Sequence, residues 1–125
     1  MRAADRGDVV MISSVATDAM AAGYGLYSLS KAAMEAMAHT LAKEERDHNI
    51  RVNIVAPGLV DTDMGKALVV ALTGEEDIDM RDRDSSSPFG FVCTPADIAS
   101  TVAHLVSDDG RYVTNQRLTV NGGGF

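Results

Sequence analysis

The chain has 125 residues, of which 46% are hydrophobic and 23% charged, and its formal net charge is -7. That length suits one small domain, and the apolar share supports a buried core rather than a disordered chain. The acidic balance argues against a nucleic-acid binder that relies on a basic face, and no apolar run approaches the ~18 residues needed to span a bilayer.

Residues 8–13 (DVVMIS) follow Gly7 and are rich in β-branched side chains, which predicts a buried parallel strand. Residues 15–24 are small and contain glycine, and predict a loop. Residues 25–47 predict a long helix. Ala32, Ala33, Ala36, Ala38 and Ala42 are strong helix formers, and Met34, Met37, Ala38 and Leu41 make one apolar stripe. Asn49 breaks that helix, and residues 50–56 (IRVNIVA) predict a second strand stopped by Pro57-Gly58. Residues 62–73 predict a short amphipathic helix capped by Thr62 or Asp63. Residues 75–84 hold six acids and two arginines, so a net of -4 lies in this run, which predicts a solvated loop. The run lacks the central glycine of a calcium-loop pattern, and no metal site is expected there. Thr94 as N-cap and Pro95 in the first turn open a helix that continues through Ile98, Val102 and Leu105 to about residue 107. Residues 117–120 (RLTV) predict a last strand, and residues 121–124 a turn. Strands alternating with helices predict an α/β fold with a parallel sheet of about three strands joined by right-handed crossovers.

The chemistry-bearing residues are few. Cys93 is the single cysteine, so no intrachain disulfide forms. With no signal peptide in view, this predicts a reducing, cytoplasmic setting, with Cys93 a small buried residue. His39, His48 and His104 lie on or near helix ends and polar stretches, and are expected to be structural or surface residues. Asn53 is expected to bond the backbone within the sheet. Tyr27 and Lys31 are four residues apart, on one face of the predicted helix. A free phenol titrates near ~10, and a cation one turn away favours its ionised form, so the pair sketches an acid-base site. Ser13 and Ser14 end the first strand, where a hydroxyl can hold a substrate oxygen. Taken singly, each of these residues is more simply a packing or surface residue, and their joint spacing is what points to alcohol and carbonyl chemistry.

The constellation resembles the C-terminal half of a short-chain dehydrogenase/reductase of the single-domain branch. DVVMISS resembles the strand that ends in the family's catalytic serine, and YSLSKAAMEAMAHTLAKE resembles its Tyr-x-x-x-Lys helix. IRVNIVAPGLVDTDM resembles the next strand with the Pro-Gly-x-x-x-Thr cofactor loop. TPADIASTVAHLVSD and YVTNQRLTVNGGG resemble the closing helix and strand. The resemblance implies a partial Rossmann-like, doubly wound parallel sheet. It implies NAD or NADP as cofactor and a small alcohol or ketone as substrate. By it, Tyr27 is the acid-base group, Lys31 assists Tyr27 and binds the nicotinamide ribose, and Ser14 orients the substrate oxygen. Ser14 fits the family's spacing to the tyrosine better than Ser13, and only one of two adjacent strand residues can face the site. Pro57, Gly58, Val60 and Thr62 match the loop that holds the cofactor, together with Tyr27 and Lys31. The helix over 25–47 is implied to line a subunit interface of a homo-oligomer. The glycine-rich turn of the family's N-terminal dinucleotide-binding half has no counterpart here, so residues 1–125 are expected to be the catalytic half of one domain. On that account the chain alone is expected to be inactive. The alternatives are a catalytically silent piece that associates through Met34, Met37 and Leu41, and, with less support, a sugar-nucleotide epimerase.

Overall fold

Three parallel strands form the sheet in a computed structural model that describes residues 1–124. Strand β1 is Gly7–Ile12, β2 is Ile50–Pro57 and β3 is Arg117–Val120, in the order β1-β2-β3. The register runs from Gly7 opposite Ile50 to Ile12 opposite Val55, and from Ile54 opposite Arg117 to Pro57 opposite Val120. Every residue of β2 is buried, as a central parallel strand covered on both faces must be. The helices are α1 (Ala16–Ala19), α2 (Gly25–Glu45), α3 (Asp63–Thr73) and α4 (Pro95–Val106).

Alternation along β2 sorts its side chains to the two faces. Ile50, Val52 and Ile54 pack with Ala38 and Ala42 of α2, joined by Val9, Met11 and Leu41. Arg51 and Asn53 face the other way. Arg51 pairs with Asp8 at 2.6 Å and donates to the Gly110 carbonyl just beyond α4. Asn53 Nδ2 donates to the Val113 carbonyl at 2.9 Å, and Asn53 Oδ1 accepts from the Gln116 amide at 3.0 Å, which is the expected backbone role. The sheet is therefore doubly wound, and the α/β, partial Rossmann-like expectation holds.

Several details differ from the sequence-based expectations. Residues 15–24 are not all loop, because α1 forms where the Thr17 hydroxyl donates to the Ser14 carbonyl at 2.9 Å and closes a turn. The long helix ends at Glu45 and tightens into a 3-10 turn, Arg46–His48, before Asn49 reverses the chain at φ 56°. Pro57 remains in β2, since its missing amide is not needed and its carbonyl accepts from the Val15 amide at 3.0 Å. The acidic run is not wholly solvated. Met80 is 1% exposed and forms a second core with Val69 and Val92, and a 3-10 helix, Met80–Ser86, follows. Met37 stands 56% exposed, because the inward face of α2 runs through Ala38 and Ala42 instead. His39 is structural as expected, its Nδ1 lying 2.8 Å from Asn115 Oδ1. Among the described residues no helix is long and apolar enough to cross a membrane.

Candidate active site

The predicted site residues gather at the C-terminal ends of the parallel strands, the edge where open α/β sheets bind ligands. Ser13 and Ser14 follow β1 directly. The Ser13 amide donates to the Val55 carbonyl at 2.7 Å, which continues the strand pairing and fixes the backbone here. Ser13 is 3% exposed, and its hydroxyl donates to Glu35 on α2. The Ser14 hydroxyl accepts from the Ala16 amide at 3.1 Å, and its own proton has no acceptor among the described residues.

Two hydrogen bonds hold the first turns of α2 against this serine segment. The Ser28 hydroxyl donates to the Ala16 carbonyl at 3.1 Å, and Lys31 Nζ donates to the Ile12 carbonyl at 2.9 Å. Tyr27 precedes Ser28 and lies one turn before Lys31, so both bonds pin the turn that carries it. Lys31 Nζ is 5.7 Å from the centre of the Tyr27 ring, within the range of a cation–π contact. Tyr27 is 38% exposed, and its hydroxyl has no hydrogen-bond partner among the described residues.

At the end of β2 the Gly58 amide donates to the Val120 carbonyl at 3.0 Å, joining the β2 loop to the end of β3. Val60 forms an isolated parallel bridge with Cys93, and the Asp61 amide donates to the Cys93 carbonyl at 2.8 Å. Thr62 is the N-cap of α3, its hydroxyl accepting from the Gly65 amide at 3.1 Å. A Cβ at Gly65 would run into the Val60 carbonyl, so only glycine lets this cap close so tightly. Cys93 is half-buried, and burial first, then the Asp97 charge, pushes its thiol up. That is the opposite of an activated nucleophile.

An open cleft of about 550 Å³ adjoins this edge. Val15, Gly58, Leu59, Val69, Leu72 and Phe89 contribute to its wall. Of the sequence-predicted residues Gly58 lines it, whereas Ser14, Tyr27, Lys31, Pro57, Val60 and Thr62 do not. Sequence reasoning missed Glu35 and Arg117, which pair at 3.0 Å beneath the serines. The signals were present: Glu35 is one turn beyond Lys31, and Arg117 is a charge in an otherwise uncharged strand.

The residues present fit the nicotinamide end of a dinucleotide by the chemistry of their donors. Lys31 uses one of its three protons on Ile12, leaving two for hydroxyl acceptors. The Asp63 and Met64 amides at the start of α3 have no partner among the described residues.

A doubly wound parallel sheet with hydroxyl, phenol and ammonium groups at its C-terminal edge defines an α/β protein of Rossmann-like architecture. A family model described as Enoyl-(Acyl carrier protein) reductase matches residues 1–124. The short-chain reductase NovJ of Streptomyces niveus is 36% identical over 123 residues, covering 98% of this chain and 47% of that protein. A 3-oxoacyl-acyl-carrier-protein reductase of Chlamydia muridarum is 38% identical over 117 residues, covering 94% of this chain and 44% of that protein. Among solved structures, a 7α-hydroxysteroid dehydrogenase in complex with NADH and 7-oxo glycochenodeoxycholic acid superposes with a TM-score of 0.83 at 30% identity. That match covers 99% of this chain and 46% of that one. The chain belongs to the short-chain dehydrogenase/reductase family. It spans less than half the length of these relatives.

Proposed function

We propose that this chain carries the proton-transfer half of an NAD- or NADP-dependent oxidoreductase that interconverts a secondary alcohol and a ketone. The observation that carries the proposal is Lys31, which bonds the end of β1 through the Ile12 carbonyl while its ammonium lies 5.7 Å from the Tyr27 ring. One cation thereby ties the serine segment to the phenol. In the reductive direction Tyr27 gives its hydroxyl proton to the substrate oxygen, and in the oxidative direction it takes that proton back. Lys31 stabilises the tyrosinate left behind by its charge, and Ser14 donates its free proton to the same substrate oxygen and so orients it. Tyr27, Lys31, Pro57, Gly58, Val60 and Thr62 would hold the cofactor. When bound, the nicotinamide supplies or accepts the hydride.

The cleft beside Gly58 is walled mainly by apolar side chains, Leu59, Val69, Leu72 and Phe89 among them, which supports a substrate with an apolar body. The acyl and steroid compounds named for two of the relatives have that character. We also propose that residues 1–125 form the C-terminal half of one domain whose other half binds the adenine end. Leu26, Leu29 and Met37 stand exposed on α2 and support homo-oligomer formation through that helix. The test is cofactor oxidation by the full-length protein, with NADH and NADPH, against 3-oxoacyl thioesters, oxo-steroids and sugar ketones. Turnover of an apolar ketone is expected. Cofactor binding without turnover of any carbonyl compound overturns the proposal.

A further inference from the structure

Glu35 and Arg117 tie together four elements around the serine segment. Arg117 Nε donates to Glu35 Oε1 at 3.0 Å, and Nη1 donates to Thr119 Oγ1 at 2.9 Å. Its Nη2 donates to Thr17 Oγ1 and Asp18 Oδ2, both at 2.8 Å, and to the Ser14 carbonyl at 3.3 Å. Glu35 Oε1 also accepts from the Ser13 hydroxyl and lies 3.1 Å from Thr17 Oγ1, whose single proton is shared between this carboxylate and the Ser14 carbonyl. The pair therefore grips the hydroxyl before Ser14, the carbonyl of Ser14 and the helix after it. The side chains are 15% and 19% exposed, so these bonds are largely shielded from water. Burial alone would raise the Glu35 carboxyl, but hydrogen bonds from Ser13 and Arg117 and the Arg117 charge hold it below its ordinary value. Glu35 is thus held as a carboxylate whose Oε1 is the meeting point of these donors.

With the Ser13 hydroxyl fixed on Glu35 and the Ser14 carbonyl on Arg117, the backbone on both sides of the Ser14 hydroxyl is held. Glu35 also lies on the helix face that carries Lys31, one turn further on. We infer that Glu35 and Arg117 are positioning residues for the proton-transfer site. They set the direction of the Ser14 hydroxyl and the spacing between the serine segment and the Lys31 turn. For catalysis this inference rests on the function proposed above, whereas the positioning itself has a separate readout. That readout is the Ala16 amide, whose partner is Ser14 Oγ.

The experiment uses the full-length protein with Glu35→Gln, which keeps the shape and removes the charge, and Arg117→Lys, which keeps the charge and removes the fork. Steady-state kinetics and residue-resolved amide exchange are measured on both. The expected result is a kcat lower by about tenfold to a hundredfold with the cofactor KM unchanged, as small misplacements of a reacting group produce. Ala16 exchange is expected to quicken about tenfold while the Val52, Asn53 and Ile54 amides keep their protection. Wild-type kcat together with wild-type Ala16 exchange overturns the inference and leaves the pair a staple. Should Glu35→Gln fail to fold, Arg117→Lys carries the same two readouts. Should the wild-type protein turn over no carbonyl compound, the proposed function fails, and Ala16 exchange alone decides whether the pair positions Ser14.

Discussion

Ser13 and Ser14 are chemically identical neighbours with different surroundings. The Ser13 hydroxyl is committed to Glu35, whereas the Ser14 hydroxyl accepts one amide and keeps its proton available. Truncating the two should therefore produce different defects. Ser14→Ala in the full-length protein is expected to lower kcat by about 100-fold with unchanged thermal stability, as loss of one donor to a reacting oxygen does. Ser13→Ala is expected to cost about 1–3 kcal/mol of stability, because it strips a donor from a shielded carboxylate. Equal kinetic and stability profiles for the two variants would contradict the assignment. The same carboxylate makes stability depend on pH. Folding holds the Glu35 carboxyl below its ordinary value of 4.5, so the unfolded chain takes up this proton first as the pH falls. The contribution is complete above the unfolded value and is lost as the pH falls through the folded one. Urea denaturation between about pH 7 and pH 4 should show stability falling at the acid end, less steeply in Glu35→Gln, and identical slopes would refute the linkage.

The strands and long helices declare themselves in the sequence because each carries its own local signal. DVVMI and IRVNIVA are β-branched runs, the alanine-rich stretch favours helix, and Thr94-Pro95 marks a helix start with the capping box that the structure shows through Asp97. The rest depends on partners far along the chain. The small helix α1 closes on Ser14 and Arg117, and Met80 becomes buried only where Val69 and Val92 meet it. An acidic run hides such a residue, since its own composition predicts solvent. The Tyr27–Lys31 spacing was legible for a similar reason: residues four apart on one helix share a face. Glu35 and Arg117 each stand out singly, but their pairing spans 82 positions and has no local signal. Met80→Ala should destabilise the chain by about 2–5 kcal/mol, as cavity formation in a packed cluster does, and a change within error would mean that the second core is not packed. Thr62→Ala should cost about 1 kcal/mol by removing the α3 cap, and a far smaller loss on denaturation would show that the cap is idle.

At the scale of the molecule, β1 is an edge of the three-stranded sheet. Its outer backbone groups have no strand partner among the described residues, and Val9, Val10 and Met11 are only partly covered. Exposed strand edges and apolar helix faces promote association. The 125-residue chain by itself is expected to self-associate on sedimentation and to bind NADH or NADPH weakly or not at all. Micromolar affinity for either cofactor in isothermal titration, with a monomer in solution, would contradict this. The family relation adds a length comparison, since the relatives named are more than twice as long as the part that this chain matches. The residues proposed to transfer the proton nevertheless lie within this chain, on the segment after β1 and the first turns of α2. The central claim is that Tyr27 moves the proton, held there by Lys31 and served by Ser14. It is tested most directly by Tyr27→Phe in the full-length protein, with turnover of its best ketone measured alongside cofactor affinity. Loss of about 100-fold to 10,000-fold in kcat with cofactor binding retained is the predicted result, the range expected for removal of an acid-base group. Full turnover by the phenylalanine variant would contradict it.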